Sequence, residues 1–156
     1  MQEKLKVDRV IDRYEGDKAN LISILQDVQR EYNWLPQDVL TYIAQKLNLP
    51  LIDVFEVATF YKSFSLKPRG RHLITVCLGT ACHVRGGQRV LEEIERRINV
   101  KPGETSEDKQ FTLETVNCLG CCAIGPIVVI DGEYYGQMNT RKVASLLEKY
   151  SKKDKD

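Results

Sequence analysis

Apolar residues recur at three- and four-residue intervals from about residue 4 to residue 62, so this stretch is predicted to be helical. Leu21, Ile24, Leu25 and Val28 share one helical face. Val39, Leu40, Ile43 and Leu47 share another, after Pro36, which suits a first helical position because its missing N–H has no partner there anyway. Asn48-Leu49-Pro50 ends that helix, and a further one through Leu51, Val54, Phe55 and Ala58 leads into Thr59-Phe60-Tyr61. The charges of Lys4 to Arg13 and Lys152 to Lys155 read as solvated.

No strand pattern appears before residue 72. Ser65 to Gly70, with a proline and a glycine, is the expected boundary. His72 to Val76 is then a β-branched run, and Gly86-Gly87 opens a helix with Val90, Leu91, Ile94 and Ile98 on one face, ending near Asn99. Phe111 to Val116 alternates, as a strand with one buried face would. Asp131-Gly132, between Ile127–Ile130 and Glu133–Gln137, signals a two-residue hairpin turn. A last helix runs from Thr140, the expected N-cap, through Val143, Leu146, Leu147 and Tyr150. The expected fold class is α+β: an N-terminal helical bundle, then a β-α-β-β-α domain with a mixed sheet, the order of a thioredoxin-like half. The expected divisions are residues 1–65, 71–150 and a polar tail at 151–156.

Composition narrows the functional classes. With 42% hydrophobic and 29% charged residues and a net charge of +1, the chain is in the globular range. It lacks the excess of Lys and Arg that neutralising phosphates requires, so nucleic acid is not the expected partner. No apolar run reaches the roughly 18 residues of a membrane span, and Met1 to Gly16 contains no secretory h-region. A cytoplasmic setting without membrane insertion is therefore expected, where five cysteines point to metal or redox chemistry rather than to disulfides. No G-x-G-x-x-G, Walker loop or catalytic triad is present, so neither nucleotide binding nor bond chemistry is expected.

Cys77 follows the first predicted strand and Cys118 the second; a right-handed crossover makes these strands parallel, so both loops leave the sheet at one end. Each loop carries further thiols. Cys77-Leu78-Gly79-Thr80-Ala81-Cys82 supplies one pair, and Cys118-Leu119-Gly120-Cys121-Cys122 supplies another with a spare. Four thiolates suit a [2Fe-2S] cluster. They also suit a structural zinc, which would make the chain a protein-binding module without redox activity. Cys118-Leu119-Gly120-Cys121 is formally a redox C-x-x-C, but such motifs use a helix N-terminus, and here Gly125-Pro126 and a strand follow. Simple packing gives no reason for pairs in glycine-bearing loops. Gly79, Thr80, Ala81, Gly120 and Ala123 are small enough to let backbone N–H groups approach the sulfurs. His83, beside Cys82, is taken as a loop residue.

These cysteine segments, with Leu35-Pro36 and Val57-Ala58-Thr59-Phe60-Tyr61, resemble the thioredoxin-like [2Fe-2S] subunits of NADH dehydrogenases. That family includes the E subunit of NADH-quinone oxidoreductase and the gamma subunits of electron-bifurcating hydrogenases and NAD-linked formate dehydrogenases. Phe60 to Phe64 looks closer to the hydrogenase type. The resemblance implies one [2Fe-2S] cluster on Cys77, Cys82, Cys118 and Cys122, with Cys121 left over. It also implies an electron-transfer subunit that docks a flavin- and NADH-binding partner through its helical part, including Ala58, Thr59, Phe60 and Tyr61, and has no activity alone.

Overall fold

The structure, a computed structural model, describes the backbone of residues 2–153 and the side chains of residues 5–151. The chain divides into two compact units, Met1–Pro68 and Arg69–Asp156. In the first, the described residues form α1 (Gln2–Arg13), α2 (Leu21–Tyr32), α3 (Gln37–Lys46) and α4 (Leu51–Phe60). Their apolar stripes meet in one core, where Ile24, Leu25, Val28, Leu35, Leu40, Ile43 and Val54 are fully buried. Burying a side chain of this size contributes about 1.5–3 kcal/mol. The helix ends follow local chemistry. Asn33 and Asn48 turn the chain with φ of 68° and 51°, a region asparagine enters more readily than most residues, and the helices after them start behind Pro36 and Pro50.

Three expectations about this unit need correction. Pro36 caps α3 from outside instead of occupying its first turn. The charges of α1 are not simply solvated: Asp8 accepts from the Tyr42 hydroxyl at 2.9 Å and pairs with Lys46 at 3.0 Å, while Arg13 lies 3.6 Å from Asp27. Ala58 cannot serve as docking surface, because it stands four residues after Val54 on the inward face of α4 and is 2% exposed.

The second unit contains β1 (His72–Cys77), α5 (Thr80–Val84), α6 (Gly87–Ile98), β2 (Phe111–Val116), β3 (Val128–Ile130), β4 (Glu133–Tyr135) and α7 (Thr140–Lys153). The sheet order is β2-β1-β3-β4, with β1 and β2 parallel and the other neighbours antiparallel. It is a thioredoxin-like mixed sheet. Ile74, Val76, Leu113, Val128 and Ile130 from the strands pack with Val90, Leu91 and Ile94 of α6 and Val143, Leu146 and Leu147 of α7. Asp131 and Gly132 turn the hairpin with φ of 51° and 85°, positive at both positions as a type I′ turn demands. The Asp131 carboxylate fastens that turn to β1, accepting the Leu73 N–H at 2.9 Å and meeting His72 Nδ1 at 2.6 Å.

Here too the structure departs from the sequence reading. Phe111, Thr112 and Leu113 are all buried, so β2 does not alternate. Residue 105 bridges to residue 112 and covers this edge strand, and the Thr112 hydroxyl is satisfied inside, accepting the Gly70 N–H at 2.7 Å. The N-cap of α7 is Asn139, whose Oδ1 accepts the Lys142 N–H at 3.0 Å; Thr140 is the first helical residue. That helix continues through Lys153, into the stretch expected to be a polar tail, and residues 154–156 lie outside those described. Among the described residues no helix is long and apolar enough to cross a membrane.

Candidate functional site

Because β1 and β2 run parallel and in register, with Cys77 opposite Val116, the segments that follow them emerge side by side. Cys77 is the last residue of β1. Leu78 ties the two exits together, donating its N–H to the Val116 carbonyl at 2.9 Å. Gly79 must be glycine, since a Cβ there would drive into the Asn117 carbonyl oxygen. Cys82 then lies in α5, whose first turn closes through the His83 N–H to the Gly79 carbonyl at 2.8 Å. The segment is therefore a short helix and not the loop expected for Cys82 and His83. Gly87 allows the next turn to pass close behind both thiols: a Cβ there would lie 2.9 Å from the Cys82 carbonyl and 3.1 Å from that of Cys77.

The second cysteine segment is irregular. Gly120, with φ of 78°, reverses the chain so that its N–H points at Cys118 Sγ, 3.3 Å away. Cys122 begins a single 3₁₀ turn, Cys122–Ile124, which closes through the Ile124 N–H to the Cys121 carbonyl at 3.1 Å. Cys118 and Cys122 then stand 4.0 Å apart, sulfur to sulfur, and both are exposed. Cys121 turns away. Its Sγ lies 3.6 Å from the Leu119 carbonyl oxygen, and with Val116 and Leu119 it packs against the cluster of Cys77, Cys82, Ile127 and Val129.

Cys77 and Cys82 form the other pair, and both are buried. Burial acts to raise the Cys77 thiol, but the influence of the Gly79 N–H, the Cys82 thiol and the Leu119 N–H holds it below the ordinary thiol range. Burial and donation to Cys77 push Cys82 up, against the N–H of Ile127, with the negative charges of Cys77 and Cys122 adding to the rise. Cys122 is raised by its hydrogen bond to Cys118 and by that neighbour's charge.

Two pairs of thiols, one buried and one exposed, form a donor set that fits a cluster of two irons with two thiolates each. Among the described residues no three His, Cys, Asp or Glu side chains gather around the position of a single ion. Of the small residues singled out in the sequence, Gly79 and Gly120 bring their N–H groups to sulfur. Thr80 and Ala81 begin α5, and Ala123 lends its carbonyl to Arg85. Sequence reasoning misses the N–H donors of Leu119 and Ile127, which depend on the backbone path and carry no composition signal. It also misses Gly125, where a Cβ would lie 3.0 Å from Cys82 Sγ.

Fold and thiol pairs together define a small cysteine-bearing protein of thioredoxin-like build. The chain belongs to the thioredoxin-like [2Fe-2S] ferredoxin family, which it matches over residues 7–151, and its cofactor is one [2Fe-2S] cluster. It is 36% identical over 146 residues to the E subunit of NADH-quinone oxidoreductase from Rickettsia prowazekii (strain Madrid E), covering 92% of this chain and 82% of the relative. Against the corresponding E subunit from Escherichia coli (strain K12) it is 36% identical over 148 residues, 95% of this chain and 89% of the relative. Among solved structures, an NAD+-reducing [NiFe]-hydrogenase in the air-oxidized state shares the fold, with a TM-score of 0.75 at 19% identity over 86% of this chain. The chain spans 23% of that hydrogenase chain.

Proposed function

We propose that the chain is an electron-transfer subunit of a multisubunit NADH-linked oxidoreductase, of the NADH-quinone oxidoreductase or hydrogenase gamma type, and that Cys77, Cys82, Cys118 and Cys122 hold its cluster. The observation that carries this reading is the pairing of those four thiols at the exit of two parallel strands, in a chain of this family. When bound, the cluster supplies a centre that takes up and releases one electron. The protein's own part is orientation and electrostatics. N–H groups of Gly79, Leu119, Gly120 and Ile127 aimed at the sulfurs favour their negative charge. The buried pair anchors the site to β1, while the exposed Cys118 and Cys122 mark the side facing a redox partner.

That partner, on this reading, is a flavin- and NADH-binding subunit. Phe60 at 80% exposed and Ile52 at 63% are costly to leave in water, and with Tyr61 they make α4 the apolar docking element. Phe60, Tyr61, Thr59, Val57 and Ile22 border an open depression of about 480 Å³. Thr59 keeps its hydroxyl on the Phe55 carbonyl at 2.8 Å and offers its methyl group.

Anaerobically purified chain should be reddish brown, with about two iron and two sulfide per chain. It should oxidise no NADH alone, and its visible spectrum should bleach with NADH only when the flavin-bearing subunit is added. Colourless protein holding stoichiometric zinc would overturn the electron-transfer reading in favour of a zinc-stabilised binding module, and NADH oxidation by the chain alone would overturn the division of labour.

A further inference from the structure

Arg85 ends α5, the helix that carries Cys82, and its Nη1 donates to the carbonyl oxygen of Cys122 at 2.9 Å and to that of Ala123 at 3.3 Å. One exposed cation thus joins the segment of the first thiol pair to the turn that presents the second. We infer that Arg85 is a positioning residue for the cluster: it clamps the Cys122 turn in register with Cys82 and places a positive charge on the backbone of that turn, beside the Cys122 and Ala123 carbonyls.

The surrounding backbone makes this reach possible. Gly86, with φ of 98°, and Gly87, pressed against the Cys82 and Cys77 carbonyls, turn the chain so tightly after Arg85 that its side chain is left at the rim. Across the site, the 3₁₀ turn of Cys122 is closed by backbone bonds of its own, the Cys122 carbonyl also accepting the Gly125 N–H at 3.2 Å, and the Ile124 carbonyl accepts the Gln137 N–H at 2.6 Å, so Arg85 is the side chain that ties this turn to α5. Nη1 alone serves both adjacent carbonyls, and a guanidinium suits the task because its planar group holds that N–H pair in a fixed direction, whereas an ammonium is a point charge on a flexible stem. Its charge has a second effect. Reduction adds negative charge to the site, so a nearby cation favours the reduced state and raises the potential, by an amount that solvent screening keeps small.

The inference rests on the assignment of Cys122 as a ligand, and its test separates the two. Wild type, Arg85→Gln and Arg85→Lys are loaded anaerobically as full chains and compared in the rate of cluster loss to an iron chelator and in midpoint potential. Arg85→Gln should lose its cluster severalfold faster. It should also show a roughly threefold lower ratio of reduced to oxidised cluster at fixed potential, a downward shift of about 28 mV at 59 mV per tenfold for one electron. Arg85→Lys should restore the potential but not the retention. Arg89→Gln, which removes the same charge from an exposed position of α6, should change neither. Wild-type retention in Arg85→Gln overturns the positioning role, as does faster loss that merely tracks a lowered melting temperature of the apo chain. Full cluster retention in Cys122→Ala would instead overturn the ligand assignment, and the clamp with it.

Discussion

Gly125 lies so close to Cys82 that a Cβ added to it would stand 3.0 Å from the cysteine sulfur. The backbone of Gly125, with φ of −63°, is open to any residue, so what glycine supplies here is space beside the sulfur. Gly125→Ala should therefore displace the Cys82 thiol or the turn that carries Cys122. Overpacking of this kind costs about 1–3 kcal/mol. Chemical denaturation of the apo chain measures that cost, and iron content after reconstitution should fall below that of wild type.

Cys121 and Cys122 are neighbours with different surroundings, one packed beside Leu119 and the other 4.0 Å from Cys118. Cys122→Ala should give largely colourless protein. Cys121→Ala should keep the visible spectrum and the reduced-state electron paramagnetic resonance signal. Loss of the signal in Cys121→Ala with retention in Cys122→Ala would move the ligand by one residue.

Phe60→Asp tests the proposed docking of a flavin-bearing subunit on α4. The side chain is 80% exposed, so stability should change by no more than about 0.5 kcal/mol. Cluster content should be unchanged. Co-purification with the flavin-bearing subunit should drop at least tenfold, and unaltered capture would remove α4 from the interface.

Thr112 is 4% exposed, and its hydroxyl receives the Gly70 N–H while pairing with Thr105 at 2.8 Å. Thr112→Val keeps the shape and deletes the acceptor, which should destabilise the chain by about 1–3 kcal/mol in equilibrium unfolding. Site spectra should be unaffected.

The loop before β2 is held by Asp108, whose carboxylate accepts the Ser106 hydroxyl at 2.5 Å and the Gln110 N–H at 3.0 Å. The Ser106 bond first, then the backbone bond, hold its carboxyl below the ordinary value of 3.8. A carboxyl lowered on folding contributes stability that is present in full above its unfolded value and disappears as pH falls through the folded one. Asp108→Asn should accordingly flatten the acid limb of the stability curve below that value and leave its slope near neutrality unchanged, as read from thermal melts across pH.

Periodicity carried most of the fold because long stripes leave little ambiguity. Leu21, Ile24, Leu25 and Val28, or Val143, Leu146, Leu147 and Tyr150, are buried where a 3.6-residue repeat puts them. The hairpin was equally legible, since Asp131-Gly132 answers a specific backbone need. Helix α5 was not, because Thr80 to Val84 is too short to show a period and derives its helicity from the Gly79 carbonyl and the packing of Cys82. Ala58 was legible and misread: its four-residue spacing from Val54 already placed it inside. Asn139 and Thr140 are both good caps, and one-residue choices between such neighbours are settled by tertiary contacts. At the site, chain order alone could align two cysteine segments. It could not say which amides face sulfur, or that an arginine would cross from one segment to the other, because those facts depend on three-dimensional paths.

β1 lies between β2 and β3, hydrogen-bonded on both sides, and it ends at Cys77. Interior strands exchange their amide hydrogens only through openings close to global unfolding, whereas surface turns open readily. The two halves of the thiol set therefore belong to different regimes of motion. Cys118 and Cys122 stand open in the native state while Cys77 is uncovered only by rare opening of the sheet, so a solvent-borne oxidant or chelator meets the thiols first on the loop side.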